Sequence, residues 1–147
     1  TAENDALFRE RLCAAGNVRC VALGLRAAVK VTRLVGEQTT LPIACRREGL
    51  DVLWSPGYTA PLFLSLPQVV SVLDMQYCEF PEDFSRAARW ALRILVPRSA
   101  HLSQAVLTLS SFSRDQIVRH ARVPAGRIRL KVIQVLYQPE AARHFHL

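Results

Sequence analysis

Residues 51–74 read DVLWSPGYTAPLFLSLPQVVSVLD: an apolar run, a loop studded with Pro56, Pro61 and Pro67, a second apolar run rich in β-branched residues, and a closing carboxylate. Continuous apolar runs bounded by turn residues are what parallel strands buried on both faces look like. The stretch therefore predicts two strands, at residues 52–54 and 69–73, with a proline-rich loop between them. In open α/β sheets ligands bind outside the carboxyl ends of the strands. Ser55, Gly57, Tyr58 and Asp74, each just past an apolar run, are therefore the first candidate site residues. The plain alternative is two core strands joined by a turn.

Upstream, residues 2–14 set Leu7, Phe8 and Leu12 on one helical face, and Gly16-Asn17 would stop that helix. A strand is expected at residues 18–23 and a helical segment over 26–47, with Pro42 marking a break or a new start and Gly49 an end. Downstream, Ser85 can cap a helix whose expected buried stripe is Ala87, Trp90, Ala91, Ile94 and Leu95, with Arg86, Arg89 and Arg93 on the opposite side and Pro97 as kink or terminator. A strand at 105–109 follows, and Ser113-x-x-Gln116 has the spacing of a capping box opening a short helix. Residues 123–126 are its exit, and the alternating run 127–135 predicts a strand with one face less buried, before a frayed tail. The order of elements implies an α/β class: a mostly parallel sheet between helices, with right-handed crossovers.

The 147 residues fit one domain, residues 1–147, without repeat or linker, and half of them are apolar. The longest uncharged run, residues 52–73, has the length of a membrane span, but three prolines and Gly57 would interrupt a helix there, so it is not expected to cross a bilayer. The chain opens at Thr1 without a charged-then-apolar leader, and no secretory signal is read. Cys13, Cys20, Cys45 and Cys78 form no C-x-x-C pair, which argues against zinc and suits reduced, buried thiols in a cytoplasmic protein. Nineteen Lys and Arg against twelve Asp and Glu leave a net charge of +7, which favours an anionic partner: nucleotide, phospholipid surface or nucleic acid.

No dinucleotide fingerprint, P-loop or nucleophile elbow occurs, and His101, His120, His144 and His146 show no metal-ligand spacing, so neither metal nor cofactor is expected. What remains is the row of polar residues at predicted strand ends. Ser110 and Ser113 precede a helix whose free N–H groups and positive dipole end can hold an anion, with Arg114 adding charge; the simpler reading is that Ser113 caps and Arg114 is solvated.

The strings DVLWSPGYTAPL, PQVVSVLD, FPEDFS and LTLSSFSRDQIVRHARVPAGRIRLKVI together resemble the N-terminal, acceptor-side domain of family 4 (group 1) glycosyltransferases of the GT-B fold, weakly before Leu41 and strongly over residues 51–135. The resemblance implies a Rossmann-like, mostly parallel sheet with helices on both faces, one half of a GT-B architecture, whose opening strand and C-terminal donor domain lie outside this sequence. It implies transfer of a hexose, with retention, from a nucleotide sugar bound by that other domain to a saccharide or lipid-linked acceptor, in polysaccharide or glycolipid assembly. Asp74 would be the catalytic polar contact near the reacting sugar, Ser55, Gly57 and Tyr58 the acceptor loop, and Ser110, Ser113 and Arg114 phosphate or sugar contacts. Donor and acceptor meet between domains, so this half is expected to be inactive alone.

The chain departs from the family where Leu73 stands for a His before the Asp, Trp54 for a His, and Ser111 for a Glu. Each loses a polar partner for sugar hydroxyls, and an unpaired buried partner costs about 1–3 kcal/mol. A non-catalytic binding module derived from a glycosyltransferase is the competing expectation. The Arg86, Arg89, Arg93 face suits solvent or peripheral contact with an anionic membrane; no aromatic-interleaved basic motif supports nucleic acid.

Overall fold

The protein, described by a computed structural model over residues 18–23 and 30–130, is built on four parallel strands in the order β1-β2-β3-β4. These are β1 (Leu53–Ser55), β2 (Gln68–Ser71), β3 (Ala105–Thr108) and β4 (Ile128–Leu130). The expected helix at residues 2–14 with its Gly16-Asn17 stop, positions 131–135 of the last expected strand, and the tail lie outside the described residues.

Among the described residues two helices precede the sheet, α1 (Lys30–Gln38) and α2 (Thr40–Arg47). The break falls at Thr39, whose hydroxyl donates to the Val35 carbonyl at 2.8 Å, and not at Pro42. Pro42 is instead the third residue of α2, in the first turn, where a missing N–H breaks no helical bond. Gly49 ends α2 as expected. Its φ of 63° suits glycine, its N–H donates to the Arg46 carbonyl, and the Leu50 N–H reaches the Cys45 carbonyl. The strand expected at residues 18–23 is corrected: that stretch has no regular structure, and Val18 and Val21 are exposed, so no sheet edge pairs with it.

In the sheet, Val70 pairs with Val106, and Val106 with Ile128. Strand alternation therefore sets these residues on one face, with Val72 beyond β2; Val72 still donates to the Leu107 carbonyl at 2.9 Å. That face is the core. It meets Val96 and Ala100 of α4 (Arg86–Leu102), which follows the short helix α3 (Gln76–Glu79), and Ile117 and Ala121 of α5 (Ser111–Ala121). Because the strand order is sequential, right-handed crossovers bring α4 and α5 to the same side, where they touch each other. The opposite face presents Trp54, exposed except that its indole N–H donates to the Ser71 hydroxyl at 2.9 Å.

The expected stripe of α4 is also corrected. Trp90 and Ile94 point outward, and the helix buries Val96, Ser99 and Ala100 instead. The reason lies in Ser99, polar by type but fully satisfied: its hydroxyl accepts from the Ala60 N–H at 2.9 Å and donates to the Ala60 carbonyl at 3.1 Å. Small residues let the helix approach the sheet closely, which Trp90 would prevent. Pro97 does not end the helix, which continues to Leu102; the Arg93 carbonyl that loses its donor belongs to an exposed residue, where solvent has access.

Candidate functional site

All four strands run the same way, so their carboxyl ends share one edge. Ser55 ends β1 and is buried; Tyr58 follows in the loop, Asp74 stands three residues past β2, and Ser110 follows β3.

The structure joins Tyr58 and Asp74 directly. The Tyr58 hydroxyl donates to Asp74 Oδ2 at 2.7 Å, and the Gln76 N–H donates to Asp74 Oδ1 at 3.0 Å. Tyr58 has a φ of 64°, a left-handed conformation that costs a side-chain-bearing residue about 1–3 kcal/mol. Two contacts offset this, the bond to Asp74 and one from the Tyr58 N–H to the Ser71 carbonyl at 3.0 Å. Burial first, then the hydrogen bond and charge of Asp74, push the Tyr58 phenol well above its ordinary acidity range, so it stays a donor. Both Asp74 oxygens are thus held in place, each with a lone pair left for a further donor.

Asp74 opens onto a cleft of about 220 Å³ formed between the segment after β2, which includes the short helix α3 (Gln76–Glu79 in chain order before α4), and the first turns of α5. Its walls carry two carboxylates, Asp74 and Glu79, two amides, Gln76 and Gln116, and two largely exposed rings, Phe80 and Phe112. Gln116 Oε1 is shielded from solvent and has no hydrogen-bond partner among the described residues. Such an acceptor is costly unless something donates to it.

Ser110, not Ser113, caps α5. Its Oγ accepts from the Ser113 N–H at 3.0 Å and donates to Ser113 Oγ at 2.9 Å, so the helix begins three residues before the expected capping box. Ser113 lines the cleft as an inner residue of the first turn. Arg114 does not line it; its guanidinium is engaged by Asp115 at 3.0 Å. The cleft wall therefore offers two carboxylates and no arginine or lysine, which disfavours an anion. Gly57 is exposed, and a Cβ there would meet nothing within 4 Å. Neither Gly57 nor Ser55 lines the cleft, and Tyr58 reaches it only through Asp74.

Gln76, Glu79, Phe80, Phe112 and Gln116 were not singled out as site residues by the sequence. The available signal was position: they follow the carboxyl ends of β2 and β3, and Phe112 and Gln116 are four residues apart on one face of α5. Leu73 is half-buried beside Asp74 and adds no polar group. Among the described residues no group of three or more His, Cys, Asp or Glu could hold a metal ion, and no helix is long and apolar enough to cross a membrane.

Fold and site define an α/β domain of Rossmann-like topology, with an all-parallel sheet and an acidic, aromatic cleft at its carboxyl edge. No protein-family model matches the chain, and neither the curated proteins nor the solved structures give a significant match.

Proposed function

We propose that this chain is the acceptor-side domain of a hexosyltransferase that uses a nucleotide sugar, with the cleft beside Asp74 taking a saccharide or glycolipid acceptor. The observation that carries the reading is the composition of that cleft: carboxylates and amides for hydroxyl groups, and the exposed rings of Phe80 and Phe112 for the apolar C–H faces of a sugar. In this reading Asp74, held by Tyr58 and Gln76, accepts a hydrogen bond from an acceptor hydroxyl and fixes its orientation. The nucleotide sugar is bound by a separate domain, and peripheral placement at a membrane brings lipid-linked acceptors within reach. Leu73 favours a second reading, a saccharide-binding module without transfer, because no titratable side chain stands next to Asp74 on the chain.

Titrating neutral mono- and oligosaccharides into the labelled protein tests the site, with the side-chain amides of Gln76 and Gln116 as reporters. Binding should shift both, and Asp74→Asn should weaken it about tenfold or more, the loss expected for a hydrogen bond to a charged group. Absence of shifts across the panel, or equal binding by Asp74→Asn, would reject the site. A hexose transfer assay on the two-domain protein then separates enzyme from binding module.

A further inference from the structure

The outward side of α4 is an amphipathic surface that the fold does not use. With 3.6 residues per turn, the side opposite the buried Val96, Ser99 and Ala100 carries Ala87, Trp90 and Ile94. Trp90 is 67% exposed and Ile94 40%. Arg86 and Arg93 run along one border of this stripe and Arg98 along the other, all three exposed. No carboxylate pairs with any of them among the described residues, and α4 itself contains no Asp or Glu. Glu82 and Asp83 come before the cap Ser85, off the stripe.

An indole exposed between guanidinium groups is poorly placed for water and well placed for a bilayer surface. Its ring settles at headgroup level, arginine stems lie along the acyl boundary, and the charges meet lipid phosphates. Charge complementarity with the net +7 of the chain points to anionic lipid. The topology adds a direction. The chain leaves β2 at the carboxyl edge and returns through α4 to begin β3 at the other, so Arg86 and Trp90 lie at the end of α4 toward the cleft.

We propose that the outward face of α4 docks this protein on an anionic phospholipid bilayer, with its Arg86–Trp90 end beside the edge that carries the cleft. The identity of a lipid-linked acceptor rests on the preceding functional reading; the docking surface rests on α4 alone.

Cosedimentation of the full chain with vesicles tests it, using pure phosphatidylcholine and an equal mixture of phosphatidylcholine and phosphatidylglycerol. The expected result is binding to the mixed vesicles that weakens with added salt, with a blue shift of tryptophan emission. Each arginine near an anionic surface contributes about fivefold to partitioning, so Arg86→Gln with Arg93→Gln should weaken binding about 25-fold. Trp90→Ala should weaken it about tenfold and abolish most of the blue shift. These side chains are exposed, so thermal melts of the variants should match the parent. Unchanged binding by both variants, equal binding to the two vesicle types, or binding to RNA but to neither vesicle would overturn the proposal. Saccharide binding in solution with no vesicle binding would overturn it while leaving the cleft reading intact.

Discussion

Ser99 and Ser103 offer a controlled test of what holds α4 to the sheet. Both are serines near the end of the same helix, both are essentially buried, and Ala is an isosteric truncation for each. Ser99 lies within the helix and Ser103 is its C-cap, and their hydroxyls bond differently. Ser99 Oγ exchanges two hydrogen bonds with the Ala60 backbone, whereas Ser103 Oγ has no partner among the described residues. Ser99→Ala strands the buried Ala60 N–H, at about 1–3 kcal/mol, while the Ala60 carbonyl keeps the Gln38 side-chain amide at 3.2 Å, so the loss should be about 1–3 kcal/mol. Ser103→Ala removes an unsatisfied hydroxyl and should be neutral or stabilise by up to about 1 kcal/mol. At this chain length 1 kcal/mol corresponds to roughly 3–4 °C, so the two melting temperatures should differ by roughly 3–16 °C. Urea denaturation followed by far-ultraviolet circular dichroism gives the free energies directly, with the m-value checking that the denatured state is unchanged. Losses equal within about 0.5 kcal/mol would refute the reasoning, since packing and not the Ala60 bonds would then seat the helix.

The phenols of Tyr58 and Tyr77 are both held above their ordinary acidity, chiefly by burial. The folded state therefore keeps protons that the unfolded state releases, and stability should fall as pH rises above about 10, by up to about 1.4 kcal/mol per pH unit for each tyrosine. Urea melts across that range should show the fall, and Tyr58→Phe should flatten it in part. Burial likewise raises the Glu37 carboxyl, opposed by its Thr59 hydrogen bond and by Arg33. Its stabilising effect is present below the ordinary glutamate range near 4.3 and lost as pH rises through the higher folded value, so Glu37→Gln should melt higher than the parent at neutral pH. Gly49→Ala, at a φ of 63°, should cost about 1 kcal/mol in a urea melt, while Gly57→Ala, with open space around it, should stay within about 0.5 kcal/mol.

Much of the fold was legible because its signals are local. The apolar, β-branched run at residues 69–73 announces a buried strand. Gly49 announces a helix end by tolerating a left-handed turn, and Ser85 caps α4 where the chain indicated. Half of the site was legible for the same reason: Tyr58 and Asp74 could be placed at strand ends before any contact was known.

What local pattern could not decide was which of two surfaces a helix buries. In α4 the Trp90 stripe is the more apolar, yet the sheet takes the stripe containing Ser99, because Ala60, far off in the chain, satisfies that hydroxyl and small residues allow close packing. The cleft follows the same logic. Asp74 and Gln116 become neighbours only once β2 and β3 pair side by side. The sequence by itself determined the α/β class, the parallel strands and the edge where a site would form, since these rest on periodicity and backbone chemistry within a few residues. The tertiary structure alone decided the Tyr58–Asp74 bond, the acidic and aromatic walls of the cleft, and the exposure of Trp90, since each depends on side chains brought together from distant segments and on which competing burial the whole core can satisfy.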